Sequence, residues 1–290
     1  MIDDKERSYE GLDMAIAKDK FWMFGVRAHE DDKWLLPAIQ GTPTQHFYDS
    51  RITAGEGAFM LDIPNMLMVV VDSDPAPYSK NAIGYMESFC RMKNVMWGAC
   101  RGGEINEYEL GFILQLAQEY PNLTGVFMDD VSEILKSTQY TVEEKQTIFL
   151  DMLKRSRDAL NQAERKLDTY ITWYWHDDPV PGMLNYVHGL SLWTWDSREL
   201  PLLKERFEAL KKKCQGLKLM LGIYMYDFKN RKPISDDMME MQCNYALELL
   251  KEKRIEGVIF HANTVMGVNM TSEHWLRRWI TENKNTAIPD

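Results

Sequence analysis

The sequence predicts an α/β protein, a single (β/α)8 TIM barrel domain over residues 1–290, and three observations support this fold class. Eight short apolar segments bounded by turn residues have the composition of parallel strands covered on both faces. Segments of helical periodicity lie between them, and strand starts recur about every 34 residues, close to the roughly 30 that one βα unit needs. No linker rich in Pro, Ser or Gly divides the chain.

The predicted strands are rich in Val, Ile, Met and aromatic residues. They cover residues 21–26, 66–71, 94–100, 124–128, 169–175, 190–195, 217–225 and 257–260. A doubly wound open sheet is the alternative architecture. However, the first strand is followed by Gly-Val-Arg-Ala-His-Glu at 25–30, which lacks the Gly-x-Gly-x-x-Gly turn that binds phosphate in that fold.

The predicted helices begin near Ser or Thr caps or end at a proline. They cover residues 104–120, 141–166, 197–213, 235–253 and 271–282. Pro121 ends the first of them, and Thr141 with Glu144 forms a capping box at the start of the second. The fifth unit has room for only a short helix, because just 13 residues, 177–189, separate its strand from the next.

The charge balance argues against several classes of partner. The chain has 34 Lys and Arg against 44 Asp and Glu, a net charge of −10, and no basic cluster longer than residues 211–213, so we expect no nucleic-acid partner. No apolar run reaches the roughly 18 residues of a membrane span. The first ten residues are polar, which predicts a cytoplasmic protein, or a periplasmic or secreted one if a signal has been removed.

Functional groups of a TIM barrel lie on the loops after the carboxyl ends of its strands. The candidate catalytic residues there are Asp129, Asp130, Asp196 and Asp227. The candidate substrate-binding residues are Arg27, His29, Asp72, Arg101, Glu133, Trp175, Asp177, Trp193, Trp195, Tyr226 and His261. An aspartate after a strand is also a common turn or cap residue, and this alternative applies to Asp196 and Asp227 in particular.

Asp129 and Asp130 carry the strongest prediction. Two adjacent carboxylates directly after a strand cannot both be simple caps, and strand alternation points one of them toward the end of the barrel. Hydrolysis of a glycosidic bond needs one carboxylic acid to protonate the leaving oxygen and one carboxylate to attack the anomeric carbon or activate water. Aromatic rings beside such acids can stack on the apolar face of a sugar.

Residues 125–130, Gly-Val-Phe-Met-Asp-Asp, resemble the strand-four segment G-[IV]-x-[LFM]-D-D of several groups of glycoside hydrolase-like TIM barrels. The resemblance implies a catalytic carboxylate at Asp129 or Asp130 and a partner from strand six or seven. That partner would be Asp196 or Asp227, with Glu133 or Asp177 as the next choices. The sequence departs from the largest clan of these enzymes, because strand seven ends in Asp227 instead of a Glu and no Asn-Glu pair follows strand four.

Two other functions remain open. A metal-dependent sugar isomerase or hydrolase could use His29, Glu30, His176, Asp177 and His261 as ligands, although His-x-His and His-Glu-x-x-His spacings are absent. A non-catalytic barrel could keep a carbohydrate-binding cleft. The sequence favours the glycoside hydrolase, with a carbohydrate substrate and no metal or other cofactor.

Overall fold

A computed structural model describes residues 14–35, 50–99, 105–175 and 177–289 and contains a closed barrel of eight parallel strands. The strands along the chain are β1 (Met14–Ile16), β2 (Phe21–Gly25), β3 (Asn65–Met68), β4 (Asn94–Gly98), β5 (Leu123–Met128), β6 (Asp168–Tyr174), β7 (Gly189–Trp193), β8 (Lys218–Tyr224), β9 (Tyr226–Asp227), β10 (Lys232–Pro233), β11 (Gly257–His261) and β12 (Ala287–Pro289). The barrel runs from β2 to β8 in chain order, and β11 closes it between β8 and β2.

The predicted (β/α)8 TIM barrel is therefore confirmed, and each of the eight predicted strands overlaps one barrel strand. Two short antiparallel pairs lie outside the barrel, β1 with β12 and β9 with β10. No helix in the described part of the chain is long and apolar enough to span a membrane.

Helices alternate with the barrel strands. They are α1 (Asp32–Leu35), α2 (Ala54–Met60), α3 (Lys80–Ser88), α4 (Glu107–Glu119), α5 (Glu133–Lys136), α6 (Val142–Leu160), α7 (Leu203–Lys213), α8 (Asp236–Lys251) and α9 (Thr271–Asn283). The predicted capping box opens α6, where the Thr141 hydroxyl accepts from the Glu144 amide at 3.2 Å. In the fifth unit, the short spacing leaves only a 3₁₀ turn at Met183–Asn185 among the described residues.

The predicted helix over residues 197–213 is divided. Its first part, Ser197–Leu202, is a 3₁₀ helix that contains Pro201, and α7 follows from Leu203. Proline has no backbone N–H to donate to the preceding turn, so a regular α-helix begins only after it.

An aromatic layer fills the barrel interior just below the carboxyl ends of the strands. Phe24 of β2 contacts Phe127 of β5 and Trp193 of β7, with ring centroids 6.1 and 5.6 Å apart. Trp193 in turn lies 5.1 Å from Tyr224 of β8. Gly222 makes room for this layer, because a Cβ there would lie 2.1 Å from the Trp193 ring. Since the layer closes the interior, a ligand at this end has to bind above it.

Candidate functional site

Asp129 and Asp130 follow β5 at the carboxyl end of the barrel, and each carboxylate has its own hydrogen-bond donor. The Thr172 hydroxyl donates to Asp129 Oδ1 at 2.6 Å. The Tyr174 hydroxyl donates to Asp130 Oδ1 at 3.0 Å. Both donors belong to β6, the next strand, where they stand two residues apart and therefore on one face of the strand.

The two carboxyl groups differ in how strongly they hold a proton. Burial, and then the charge of Asp130, raises the pKa of Asp129 to about 7, although the Thr172 hydrogen bond opposes this rise. Burial also raises the pKa of Asp130, and the Tyr174 hydrogen bond opposes it. Asp129 can therefore carry a proton near neutral pH, as a general acid must.

Tyr224 lies near the carboxyl pair, and His261 lies beside Tyr224. Burial raises the pKa of Tyr224 well above its usual value, and the charges of Asp129, Asp130 and Asp31 raise it further. The His261 ring lies 4.8 Å from the Tyr224 ring, and burial lowers the His261 pKa to about 3. The imidazole is therefore neutral at physiological pH. Its Nδ1 atom is buried and has no hydrogen-bond partner within the ranges that the structure describes.

Asp31 is a site residue that the sequence analysis missed. It lies in the loop after β2, is 8% exposed, and accepts a hydrogen bond from the Thr264 hydroxyl. Burial raises its pKa to about 6. Residues 30–32 are three consecutive acids, so the sequence alone does not single out Asp31. Only its contact with Thr264, far along the chain, distinguishes it from its neighbours.

Asp196 and Asp227 make contacts typical of caps and turns. The Asp196 carboxylate accepts from the Arg198 amide at 3.0 Å and from Arg198 Nε at 2.9 Å. The arginine contact lowers the Asp196 pKa. Asp227 is 1% exposed and accepts from the Ser197 hydroxyl and from the Asn230 amide at 2.8 Å. Their predicted catalytic roles stay predictions, and these contacts favour the alternative of structural roles.

The predicted aromatic residues occupy different depths. Trp193 is buried in the interior layer, and Tyr226 is buried with its hydroxyl donating to the Trp34 carbonyl at 3.1 Å. Trp175 lies against Arg206, whose guanidinium carbon is 3.6 Å from the ring centroid. Trp195 is different, because 38% of it is exposed while it stacks on Phe228 with centroids 5.4 Å apart.

Trp34, a half-buried residue of α1, packs beside Trp195. Its ring meets Trp195 edge to face at 6.4 Å and Phe228 at 6.3 Å. We call Trp34, Trp195 and Phe228 the aromatic platform. Tyr224 connects it to the carboxyl pair, since its ring lies 5.9 Å from that of Trp195.

Arg27, His29 and Asp72 form a separate polar group after β2 and β3. Arg27 Nε lies 2.6 Å from a Glu30 carboxylate oxygen, and its terminal nitrogens lie 3.3 Å from Asp74 and 3.6 Å from Asp72. His29 Nδ1 lies 2.8 Å from Asp32. The predicted site residues Arg101 and His176 lie outside the described residues.

The ligands of the metal-dependent alternative are not gathered in the part of the chain that the structure describes. Glu30 pairs with Arg27, and His29 with Asp32. Across residues 14–35, 50–99, 105–175 and 177–289, no group of three His, Cys, Asp or Glu side chains is placed to hold a metal ion.

The sequence matches no family model and no curated protein. Solved structures share its architecture. The glycoside hydrolase domain of PgaB (BpsB) from Bordetella bronchiseptica is 9% identical, with a TM-score of 0.53, over 89% of this chain and 98% of that one. A glycoside hydrolase family 5 enzyme from Prevotella bryantii is 11% identical, with a TM-score of 0.54, over 93% and 97%. The fold of this chain is the (β/α)8 TIM barrel that these glycoside hydrolase structures also have.

A third similar structure has the same fold. The family 99 endo-α-mannosidase from Bacteroides thetaiotaomicron is 8% identical, with a TM-score of 0.55, over 92% of this chain and 98% of that one. The TIM barrel that the resemblance at residues 125–130 implies is thus confirmed as the fold. At identities this low, the likeness concerns the fold, and function has to be argued from the site.

Proposed function

We propose that this protein is a glycoside hydrolase that cleaves an O-glycosidic bond of an oligosaccharide or polysaccharide at the carboxyl end of β5. The observation that carries the proposal is the carboxyl pair Asp129 and Asp130, in which burial and mutual repulsion raise the Asp129 pKa to about 7. Such a pair supplies one proton donor and one carboxylate near neutral pH, which glycoside hydrolysis requires.

In the proposed reaction, Asp129 gives its proton to the glycosidic oxygen as the bond between that oxygen and the anomeric carbon breaks. Asp130, with its carboxylate oriented by Tyr174, faces the positive charge that develops at the anomeric carbon. It either attacks that carbon or takes a proton from the attacking water. If Asp130 attacks, water then breaks the bond between Asp130 and the anomeric carbon, adds its hydroxyl to that carbon and gives its proton to Asp129. If Asp130 is the base, the water hydroxyl adds to the carbon directly, and the proton that Asp130 takes is released to solvent while Asp129 takes one up.

The surroundings of the pair suit a sugar. The exposed Trp195 ring offers an apolar face for stacking. A role of His261 in substrate binding would require the site to open, because its unpartnered Nδ1 atom is buried. The aromatic platform is therefore assigned to substrate binding, and the carboxyl pair to bond cleavage.

The test is a screen of aryl glycosides and oligosaccharides with the wild type, Asp129→Asn, Asp130→Asn and the double variant. Loss of a general acid or its partner typically costs about 10²–10⁴-fold in rate, so we expect both single variants to lose that much. Asp151→Asn is the matched control, because Asp151 is an exposed aspartate on α6, and it should keep wild-type activity.

Activity that survives in the double variant would refute the proposal. Carbohydrate binding by the wild type without any turnover would instead identify a non-catalytic carbohydrate-binding barrel.

A further inference from the structure

The three rings of the aromatic platform come from three separate segments of the chain. Trp34 belongs to α1, Trp195 to the segment after β7, and Phe228 to the segment after β9. Segments that follow different strands are more mobile than the strands themselves. A stacking surface built from three such segments therefore needs contacts that fix the segments to one another.

Tyr226, the first residue of β9, contacts the segment that carries Trp34. Its hydroxyl donates a hydrogen bond to the Trp34 backbone carbonyl at 3.1 Å. Tyr226 is almost completely buried, and its ring meets the Phe228 ring edge to face, with centroids 5.2 Å apart. Breaking a buried hydrogen bond is costly, because the freed polar groups lose their partners. The bond therefore holds the segment of Trp34 in place relative to Phe228.

Asp227, the second residue of β9, contacts the segment that carries Trp195. Its buried carboxylate accepts from the Ser197 amide at 3.2 Å and also from the Ser197 hydroxyl. Ser197 stands two residues after Trp195 along the chain. The side-chain amide of Asn230 adds to this connection, because it donates to Asp227 at 2.8 Å and to Asp196 at 3.0 Å. The segments after β7 and β9 are thus joined by hydrogen bonds at the two residues that follow Trp195.

The two oxygens of the Asp227 carboxylate make different kinds of contact. Oδ1 accepts from the Asn230 backbone amide at 2.8 Å, which is typical of an aspartate that closes its own turn. Oδ2 accepts from the amide and the hydroxyl of Ser197, 30 residues away. A residue that served only its own turn would need only the first of these contacts.

We propose that Tyr226 and Asp227 are positioning residues that hold the rings of the aromatic platform in place for stacking on a sugar. Both are too deeply buried to offer a sugar their own surface, so they act through Trp34, Trp195 and Phe228. A ring that is already held in place loses little freedom on binding, whereas immobilising a mobile side chain costs affinity. The benefit for sugar binding rests on the proposed function, but the positioning of the rings does not.

The experiment is ¹⁹F NMR of the full chain labelled with fluorinated tryptophan, which reports the surroundings of each ring without any substrate. Spectra of Trp195→Phe and Trp34→Phe assign the two platform signals. Asp227→Ala removes the side-chain contacts with the segment after β7, and Ser197→Ala removes only the hydroxyl contact. Tyr226→Phe removes only the hydrogen bond to the Trp34 carbonyl.

Glu273→Ala is the matched control for Asp227→Ala. Glu273 is 2% exposed and Asp227 is 1% exposed, so both are buried carboxylates. Glu273 also accepts from a backbone amide, that of Gly267 at 2.9 Å, but it lies on α9 and takes no part in the platform. Glu273→Ala should therefore destabilise the fold without moving either platform signal.

We expect Asp227→Ala to shift and narrow the Trp195 signal, because the ring loses its fixed stack on Phe228 and becomes mobile. Ser197→Ala should move the same signal less, and Tyr226→Phe should move the Trp34 signal. The inference is wrong if Asp227→Ala leaves the Trp195 signal in place, or if Glu273→Ala moves it as much. If Asp227→Ala does not fold, an unmoved Trp195 signal in Ser197→Ala overturns the inference instead.

Kinetics connect the positioned rings to the proposed reaction. In an active wild type, Asp227→Ala should raise KM for an oligosaccharide about twofold to tenfold, the cost of immobilising one or two side chains on binding. The value of kcat should stay nearly unchanged, because stacking away from the cleaved bond is equal in the ground state and the transition state. A large fall in kcat with an unchanged KM would overturn the positioning role.

The two proposals fail separately. If the wild type cleaves no glycoside but the tryptophan signals move as expected, the proposed function is wrong and the positioning of the rings stands. If the wild type is active but Asp227→Ala changes neither the Trp195 signal nor KM, only the positioning role is lost.

Discussion

Two groups of carboxyl side chains, one at each end of the barrel, have pKa values shifted in opposite directions. At the amino-terminal end, Asp168 lies 3.0 Å from Lys166 and 3.2 Å from Lys218, and Asp19 lies 3.0 Å from Lys93. Burial alone would raise the pKa of Asp168 and Asp19, but these lysines lower both values. At the carboxyl-terminal end, Asp129, Asp130 and Asp31 have raised pKa values, whereas the pKa of Asp196, which pairs with Arg198, is lowered.

The difference distinguishes carboxyl groups that stabilise the fold from carboxyl groups that are placed for chemistry. Paired carboxylates with lowered pKa values stabilise the fold at the amino-terminal end, as is usual for that end of a TIM barrel. Buried carboxyls with raised pKa values cost folding free energy when they ionise, and such groups are concentrated at functional sites. The same side chain thus serves opposite purposes depending on whether a lysine forms an ion pair with it.

The largest change in the free energy of unfolding is expected from disrupting the aromatic layer that separates the two ends of the barrel. Gly222→Ala would place a Cβ 2.1 Å from the rigid Trp193 ring, so the ring or strand β8 must shift. We expect a loss of about 3 kcal/mol in the free energy of unfolding, at the upper end for overpacking a core. Urea unfolding measures it.

Gly84→Ala is the matched control for this substitution. Gly84 is an exposed glycine within α3, and a Cβ added there would meet open space, so alanine should stabilise the helix by up to about 1 kcal/mol. Equal effects of the two substitutions would show that the layer is not tightly packed around Trp193.

Neutralising single aspartates should change the free energy of unfolding by a smaller amount, and the change should have opposite signs at the two ends of the barrel. Asp168→Asn leaves Lys166 and Lys218 without their partner and should cost about 1–2 kcal/mol at neutral pH. Because the Asp168 pKa is lowered, its stabilisation is present above pH 3.8 and is lost as the pH falls through the folded-state value. The difference between this variant and the wild type should therefore shrink in acid.

Asp129 should behave in the opposite way. Its pKa rises from 3.8 to about 7 on folding, so its stabilisation is complete below pH 3.8 and is lost as the pH rises to about 7. Asp129→Asn should therefore have a higher Tm than the wild type at pH 8 and a similar one at pH 4. Thermal unfolding from pH 4 to 8 measures both variants. A Tm loss at pH 8 in Asp129→Asn would contradict the contrast between the ends.

The sequence predicted the barrel and the carboxyl pair because both depend on neighbouring residues. Strand composition and spacing are local features, and Asp129 and Asp130 are adjacent at the end of a strand. Asp31 escaped prediction because its environment depends on Thr264, 233 residues away. Trp193 was expected at the substrate, but its ring lies in the interior layer, since Gly222 on the next strand leaves it room. The depth of the Trp193 ring in the barrel depends on a residue of the neighbouring strand. Periodicity along a single strand does not reveal such a contact.

The smallest effect on stability, with a distinct effect on binding, is expected at the aromatic platform. Trp195 is 38% exposed and stacks on Phe228, so Trp195→Ala should cost no more than about 1 kcal/mol of stability. If its face receives a sugar ring, the same substitution should weaken oligosaccharide binding by about 1 kcal/mol, close to a fivefold rise in Kd.

Titration calorimetry with a bound oligosaccharide from the screen, using the Asp130→Asn variant to prevent turnover, measures the change in Kd. Phe59→Ala is the control, because Phe59 is an aromatic residue of α2 that is 87% exposed and takes no part in the platform. An unchanged Kd in Trp195→Ala would mean that sugar recognition at the carboxyl-terminal end depends on groups other than Trp195. The exposed tryptophan would then serve only to cover Phe228, and the two ends of the barrel would differ in charge but not in aromatic recognition.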